Sequence, residues 1–362
     1  MKKILLINEE KIPHYRTSVY NHLSHYLKKQ GYELTVASNG IQDSHRQRIC
    51  FVHADIPLTF WSIAKTLFIL DPDAVIYWVR LRNLYLFPIL ILLKLLGTKA
   101  IYWGHGSDLA NQKYVRLKSW ANHVEYRLSN ALILYGEHLR RHVNIRFSNK
   151  IFIANNTLCF DELKQPFGNP SDLLRRYHIA TSKNIICMGR MQKRKRLDDL
   201  FAAFKILNRD DTGLILVGPD TDGLLGNIQG RNIYKVGPVY GSERLELLSA
   251  ADIFCLPGAV GLSIVDAFHC GLPFVTEAGD ESPEIMYLKD GVNGFIVPRG
   301  NIEELKSKLE LLLDDSDLRN RLACEAKHEI STNGHIDKMC DGFRRALDFV
   351  FHETIRPEHP VS

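Results

Sequence analysis

Long apolar runs are missing from this chain of 362 residues. No stretch approaches the ~20 consecutive apolar residues that a membrane-spanning helix needs. The first apolar run, Ile4–Ile7, ends at once in Asn8-Glu9-Glu10 and has no small-residue cleavage site after it. We therefore interpret it as a buried strand rather than a signal peptide, and we expect a cytoplasmic protein.

Paired cysteines and a strong charge of one sign are also missing. The seven cysteines are odd in number and form no Cys-x-x-Cys motif, which is typical of free thiols in a reducing compartment. The net charge of +5 permits an anionic ligand or membrane surface without requiring either. Because the basic residues form no long stripe with stacking aromatics, no nucleic-acid partner is expected.

Short apolar strands alternate with helical patterns along both halves of the chain. Strands are predicted at 3–8, 33–37, 74–78, 100–103, 131–135 and 151–154, and then at 185–188, 214–217, 232–235, 253–256 and 274–276. This rhythm predicts an α/β protein with two tandem Rossmann-like domains and a cleft between them. The turn-rich segment 165–170 divides an acceptor-binding domain, 1–166, from a nucleotide-sugar-binding domain, 167–345. A tail, 346–362, is a candidate to cross back to the first domain.

Two cations follow a strand of the second half. Gly189 and Arg190 come directly after the apolar run 185–188, and Lys195 stands five residues beyond Arg190. Ligands of open α/β sheets bind where the strands end, and an arginine can fork onto phosphate oxygens while a lysine adds a point charge. Cations at a helix start oppose the helix dipole unless an anion is bound there. The pattern favours a diphosphate site over a solvated basic helix start.

A second anion cradle is predicted after the strand 253–256. The loop from Gly258 through Val260, Gly261 and Leu262 supplies backbone N–H groups just before a helix. Asp266 lies in that helix among apolar neighbours, so we interpret it as a buried carboxylate that accepts ribose hydroxyls rather than a surface charge.

Taken together, the second half resembles the retaining glycosyltransferases of family four, the glycosyl transferases of group 1, which have the GT-B fold. The resemblance is carried by Met188-Gly189-Arg190, Lys195, the strand ends Val217-Gly218-Pro219 and Val236-Gly237-Pro238, Ala250-Ala251-Asp252, Gly261-Leu262, Asp266-Ala267, Gly271-Leu272-Pro273 and Asp290-Gly291. It is close over about 185–315. It implies that Gly218 and Val236 also line the nucleotide site.

Two positions depart from the family pattern. The family has a glutamate that contacts the donor sugar where this chain has Gly258, and a glycine after the motif lysine where this chain has Arg196. The resemblance implies that Asp266 keeps its ribose contact, that the loop backbone takes over the sugar contact, and that Arg196 is a candidate for a further phosphate contact.

In the first half, three residues are candidates to face the ligands. His14 and Arg16 follow the first strand and are predicted on the acceptor side, with a plain surface loop as the equal alternative. His105 stands between Gly104 and Gly106 after the strand 100–103. The resemblance implies that His105 contacts the donor sugar near the reacting carbon, and a buried structural histidine is the alternative.

The apolar segment 84–96 lies in a basic, aromatic neighbourhood. A core helix is the first interpretation of this segment. The surrounding residues make an anionic membrane surface and a lipid-linked acceptor further candidate partners; they are Trp78, Arg80, Arg82, Tyr85, Lys94, Lys99, Lys113, Tyr114, Arg116, Lys118 and Trp120.

The resemblance predicts a hexosyltransferase that moves a sugar from a UDP, GDP or other nucleotide donor, with retention, in lipopolysaccharide, capsule or exopolysaccharide synthesis. Its catalytic residues would be His105, Arg190 and Lys195. No cofactor is expected and no Asp-x-Asp metal motif is expected at a strand end, so Arg190 and Lys195 would neutralise the leaving diphosphate. A nucleotide-sugar epimerase of the same fold and a non-catalytic binding module remain as alternatives, and Gly258 favours the latter.

Overall fold

The computed structural model describes residues 1–43, 47–77, 85–106, 115–161, 170–226, 228–279 and 282–352, with the backbone alone at 115–119 and 170. The chain divides into two compact units. Met1–Phe160 and His335–Ser362 form the first unit, and Asp161–Gly334 form the second. The sequence predicts the domain boundary at 166–167 and the returning tail at 346, whereas in the structure the first unit ends at Phe160 and the whole helix from Ile336 belongs with it.

The first unit contains seven strands and five α-helices among its described residues, and two 3-10 helices at Glu137–His142 and Ile145–Lys150. The strands are β1 (Lys2–Ile7), β2 (Tyr32–Ser38), β3 (Val52–Asp55), β4 (Ala74–Tyr77), β5 (Lys99–Gly104), β6 (Ala131–Leu134) and β7 (Ile151–Ile153). The helices are α1 (His14–Lys29), α2 (Phe60–Leu70), α3 (Leu86–Leu96), α4 (Val115–Leu128) and the final helix, Ile336–His352. The strands pair in parallel in the order β3-β2-β1-β4-β5-β6-β7.

Two layers of helices cover the first sheet. α1 packs on the final helix, which also contacts β6 and β7, while α3 packs between α2 and α4. Because crossovers between parallel strands are right-handed, the connections that run from β3 to β6 place α2, α3 and α4 together on one face. α1 connects strands in the opposite direction and covers the other face.

The second unit repeats the plan with six parallel strands. They are β8 (Lys183–Met188), β9 (Thr212–Val217), β10 (Ile233–Gly237), β11 (Ile253–Cys255), β12 (Phe274–Glu277) and β13 (Gly294–Val297), in the order β10-β9-β8-β11-β12-β13. Its helices are α5 (Pro170–Arg176), α6 (Leu197–Leu207), α7 (Gly241–Ser249), α8 (Ser263–Cys270), α9 (Ile302–Asp314) and α10 (Ser316–Thr332). The last helix of the described residues, Ile336–His352, is therefore α11.

The predicted α/β architecture of two Rossmann-like domains is confirmed. The strand interiors are continuous apolar runs, such as Ile4–Ile7 and Leu214–Val217, because helices cover both faces of a parallel sheet. Two strands were not predicted, β3 and β13. Within the described residues, no helix has the length and hydropathy required to cross a bilayer.

Candidate functional site

Three neighbouring strands of the second sheet end in glycine at the edge where their carboxyl ends meet. Gly189 and Gly218 have φ angles of 137° and 135°, and Gly237 has 82°, all in the region that favours glycine. A Cβ atom at Gly218 would overlap the carbonyl oxygen of Gly189. The absence of side chains leaves the backbone of this edge open to a ligand.

The start of α8 lies over the end of β8. The Ser263 hydroxyl donates to the carbonyl oxygen of Met188 at 3.1 Å, which ties the first residue of the helix to the strand. Leu262, at the N-cap position, makes no side-chain capping bond. The predicted cradle of Gly258, Val260, Gly261 and Leu262 therefore leads into a helix start at this edge. The Gly258 amide donates to the Lys195 carbonyl oxygen and the Gly261 amide to the Ser282 hydroxyl, so an anion here would use the remaining N–H groups and the helix dipole.

Lys195 lies under this loop. It is buried, and its ammonium donates to the carbonyl oxygens of Ala259 and, at 3.4 Å, Val260. The Gly258 amide donates to the Lys195 carbonyl at 3.0 Å. The ammonium is also about 4.0 Å from where a side chain on Gly189 would begin. The structure thus brings three of the predicted elements together, and it gives the lysine a second task, which is to hold the loop.

Arg190 lies at the same edge but differs from Lys195 in its surroundings. Its side chain is exposed, and it forms no ion pair with any residue of the described ranges. Because Arg190 is exposed and Lys195 is buried, the arginine side chain can move onto a ligand while the lysine stays fixed.

The two departures from the family pattern are in contact with each other. A Cβ atom at Gly258 would overlap the carbonyl oxygen of Arg194 and lie 3.0 Å from Cγ of Arg196. The guanidinium of Arg196 pairs with Glu277, whose side chain is fully buried, and with Asp199 at 2.7 Å. Two carboxylates therefore hold Arg196, which does not favour the phosphate contact suggested from the sequence. Arg196 has a φ of 54°, in the left-handed region, which explains why the family pattern has glycine at this position.

Asp266 is buried in α8, as the sequence indicated, and its partner is Arg244 of α7 at 3.1 Å. Burial raises the pKa of Asp266 to about 6, against the opposing effect of the Arg244 charge. Arg244 was not singled out in the sequence because nothing local marks a helix arginine as the partner of a residue two elements away. Val236, also predicted here, is half-buried in β10.

The expectation of no Asp-x-Asp motif at a strand end is wrong. Asp220-Thr221-Asp222 follows β9 closely. Asp220 accepts the amides of Leu224 and Leu225 at 2.8 and 2.9 Å, and Asp222 accepts the amide of Lys193 at 2.9 Å. These carboxylates bind backbone amides of the loops beside Arg190.

In the first unit, His105 directly follows β5 and is half-buried. Its ring meets Tyr135 edge to face, with centroids 4.8 Å apart. Gly106, with a φ of 77°, is held by Tyr102, whose hydroxyl accepts its amide at 3.1 Å, and by Tyr126, whose hydroxyl donates to its carbonyl oxygen. The histidine is thus fixed at the carboxyl end of its strand.

Arg16 is buried in the first turn of α1, which begins at His14, whereas the sequence pattern predicts a helix over 17–30. Its guanidinium donates to the Asn156 side chain at 2.7 Å and lies over the rings of Trp103 and Tyr135. It therefore shares Tyr135 with His105. His14 is half-buried and its ring contacts Tyr15. The structure joins Arg16 and His105 through one tyrosine that the sequence analysis did not identify.

An open polar groove of about 580 Å³ lies after the ends of the first three strands. It is lined by carboxylates, amides, a lysine and a tyrosine; the residues are Glu9, Glu10, Lys11, Asn39, Gln42, Leu58 and Tyr85. Such groups suit a ligand rich in hydroxyls. Of the basic and aromatic residues proposed for membrane contact, Trp78, Arg80, Arg82, Lys113 and Tyr114 lie outside the described residues, as do the side chains of Arg116 and Lys118.

Comparison with known proteins bears most directly on the second unit. Residues 175–329 match the model of the family described as glycosyl transferases group 1. The second unit matches a glycosyltransferase family. The matched stretch is less than half of the chain, but it contains every residue predicted for the nucleotide site, from Gly189 to Asp266. The narrower assignment to retaining family four stays a prediction.

Individual proteins agree with this match. The chain is 27% identical over 149 residues to a sulfoquinovosyl transferase of Arabidopsis thaliana, covering 40% of this chain and 29% of the relative. The chain spans less than half the length of the curated relatives it matches.

Solved structures extend the likeness over both units. A glycosyltransferase from Rickettsia africae superposes with a TM-score of 0.77 at 15% identity, covering 98% of this chain and 99% of that chain. An Anabaena protein solved with UDP-glucose gives 0.75 at 15%, covering 96% and 100%. At this identity the likeness shows the GT-B fold alone.

Proposed function

We propose that this protein transfers a hexosyl group from a nucleotide-sugar donor to a hydroxyl of a glycan or lipid-linked acceptor. The observation that carries the proposal is the coincidence of two findings in one place. The stretch that matches the glycosyl transferases of group 1 is the stretch in which glycine strand ends, Arg190, Lys195 and the start of α8 meet.

The donor side follows from the chemistry of this edge. Backbone amides before Ser263 and the guanidinium of Arg190 would bind the diphosphate, and Asp266 would accept the ribose hydroxyls. Lys195 would add charge while holding the loop at Ala259. The Anabaena protein solved with UDP-glucose supports a nucleotide-sugar donor, and UDP is the first ligand to test.

The proposed reaction retains the configuration at the anomeric carbon and needs no metal ion. The bond from the anomeric carbon to the phosphate oxygen breaks, and a bond from the acceptor oxygen forms on the same face. The acceptor proton passes to the departing diphosphate, whose growing charge Arg190 and Lys195 stabilise. His105 would contact the donor sugar near the reacting carbon. Activity that persists with EDTA would support metal independence, and loss restored by Mg²⁺ or Mn²⁺ would refute it.

The acceptor would bind in the first unit. The groove beside Glu9 and Asn39 offers the mixed carboxylate and amide groups that bind sugar hydroxyls, with His14 and Arg16 on the neighbouring helix. Cell-surface polysaccharide, such as lipopolysaccharide, capsule or exopolysaccharide, is the proposed product class, made on the cytoplasmic side of the membrane.

The deciding experiment measures the binding of UDP, GDP and ADP by thermal shift and calorimetry. We expect selective stabilisation by one diphosphate, with affinity reduced at least tenfold in Arg190→Ala. Arg231→Ala removes an equal charge from an exposed position of the same unit and should bind as the parent protein does. Folded protein that binds none of the three, nor any other nucleoside diphosphate, would refute the proposal.

A non-catalytic binding module is the second candidate, and Gly258 is the observation that favours it. The position is too close to Arg194 to admit the glutamate of the family without a backbone shift. Diphosphate binding together with no sugar transfer or hydrolysis, across a panel of nucleotide sugars, would establish that candidate. Epimerised nucleotide sugar formed without an acceptor would instead indicate the epimerase alternative.

A further inference from the structure

Large exposed apolar side chains concentrate on three helices of the first unit. Trp61 of α2 and Leu95 of α3 are each 79% exposed. The full set on α2, α3 and α4 is Trp61, Phe68, Ile69, Ile91, Leu95, Leu96 and Trp120. Single exposed apolar side chains are ordinary, whereas a group on adjoining elements marks a binding surface. We call this group the α2–α4 surface.

The α2–α4 surface is continuous because its helices are packed side by side. α3 contacts both α2 and α4, and crossover handedness places all three on one face of the sheet. The opposite face provides an internal comparison. Neither α1 nor the described part of α11 exposes a large apolar side chain. Among the α-helices of the first unit, the apolar exposure therefore lies on one face, while Met1, Ile49, Val52 and Ile145 are exposed outside these helices.

Helix α2 is apolar on both sides. Ile63, Ala64 and Leu67 are buried against the sheet. The outward stripe consists of Trp61, Lys65, Phe68 and Ile69, at the spacing of one helix face. A helix that is apolar all round belongs inside a protein or a membrane, so this outward stripe calls for an apolar environment.

Helix α3 has the same construction. It buries Leu86, Ile89, Leu90 and Leu93 and exposes Pro88, Ile91, Lys94 and Leu95. The core-helix interpretation from the sequence is right for the inner half and leaves the outer half unexplained. A helix of 11 residues spans ~16 Å, about half of the ~30 Å hydrocarbon thickness, so it can lie on a bilayer but not cross one.

Within α2 and α3 the exposed charges have one sign, and the exposed carboxylate of Asp71 lies just beyond the end of α2. Lys65 is the one charged residue in the sequence of α2, and Lys94 is the one charged residue in that of α3; both are exposed. The one carboxylate of α4, Glu125, is buried. Long lysine side chains can keep their ammonium groups in the headgroup layer while the stems cover apolar surface. Exposed tryptophans at 61 and 120 suit the same interfacial depth.

We propose that the α2–α4 surface docks the protein flat on an anionic lipid bilayer. The apolar stripes enter the interface, and Lys65 and Lys94 bind acidic headgroups. The proposal stands on exposure and charge alone, so it holds whether or not the second unit transfers sugar. If it does, docking would place the groove at Leu58 and Tyr85, which precede α2 and α3, near lipid-linked acceptors.

The test is co-sedimentation of the full chain with phosphatidylcholine vesicles, with and without phosphatidylglycerol. We expect binding to the anionic vesicles that weakens with salt. A Trp61→Ser, Phe68→Ser, Leu95→Ser triple variant should reduce the partition constant at least tenfold. Lys65→Glu with Lys94→Glu should abolish the preference for anionic vesicles. An Ile206→Ser, Leu311→Ser variant, which changes exposed apolar residues of the second unit, should bind as the parent does.

Three results would overturn the proposal. The first is no binding to anionic vesicles, and the second is binding that the triple variant retains. The third is a dimer in analytical ultracentrifugation that the triple variant dissociates, from a protein that does not bind vesicles. The last would assign the surface to a second copy of the chain. Thermal unfolding and nucleoside diphosphate binding, measured on every variant, separate a misfolded protein and a failed donor site from a failed membrane surface.

Discussion

At the carboxyl edge of the second sheet, three strands end in glycine and backbone passes close over backbone. At the same edge of the first sheet, Trp103, Tyr135 and Arg16 fill the space with stacked side chains. The two sheets have the same kind of fold, but the strand ends of one expose backbone and those of the other are covered by side chains. The backbone edge presents amides, which suit a phosphate common to many donors. The side-chain edge presents rings, amides and carboxylates, which can be varied to suit one acceptor.

The largest effect is expected for Gly218→Ala, which disrupts the close approach of the Gly218 and Gly189 backbones. The new Cβ atom would overlap the Gly189 carbonyl, and the φ of 135° is unfavourable for alanine. We expect the unfolding free energy of the second unit to fall by about 3 kcal/mol or more, with loss of diphosphate binding. Urea unfolding and calorimetry measure both.

Gly237→Ala is the matched control for this change. Its φ of 82° is also positive, but no atom lies within 4 Å of the new Cβ position. It should cost only about 1 kcal/mol. Equal effects of the two substitutions would mean that backbone conformation, and not close approach, is what the glycines provide.

The side-chain edge is tested by Arg16→Met. Loss of the bond to Asn156 and of the contacts with two aromatic rings should lower the unfolding free energy of the first unit by about 2 kcal/mol. Diphosphate affinity should stay within twofold. Exposed Arg141→Met should be nearly neutral for both measurements. A large loss of diphosphate affinity in Arg16→Met would place Arg16 with the phosphate rather than with the acceptor.

The smallest expected effect is a pH dependence at Asp266. The Asp266 carboxylate accepts ribose hydroxyls fully only when it is deprotonated. Because its pKa is about 6, it becomes deprotonated between pH 5 and pH 7. Affinity for a nucleotide sugar, whose phosphates do not titrate in this range, should rise about tenfold from pH 5 to pH 7. Calorimetry across this range gives the profile. Asp266→Asn should flatten it, and an unchanged profile in that variant would remove Asp266 from the ribose contact.

Much of the fold could be predicted because parallel strands buried on both faces appear as apolar runs. Ile4–Ile7 and Leu214–Val217 are of this kind. β3 was missed because its sequence, Val-His-Ala-Asp, has no apolar run and its residues are partly exposed at the end of the sheet. α2 was missed because an outward apolar stripe removes the polar alternation by which an amphipathic helix is recognised.

Site residues could be predicted only where a motif in the local sequence marks them. Lys195 and the Gly258 loop were found through their motifs, although the bond from Lys195 to Ala259 spans 64 residues. Partners without a motif were not found. Arg244 reaches Asp266, and Glu277 reaches Arg196, through contacts that depend on how helices and strands pack. Asp220-Thr221-Asp222 was overlooked although it follows a predicted strand.

The return of α11 to the first unit has a consequence for synthesis on the ribosome. Phe343 contacts Trp103, and Gly342 lies so close to β7 that a Cβ atom there would overlap the carbonyl oxygen of Ile153. These contacts form only after the 174 residues of the second unit have been translated. Until then α1 covers only part of this face and the apolar strands β6 and β7 lack their α11 cover, the kind of intermediate on which chaperones act.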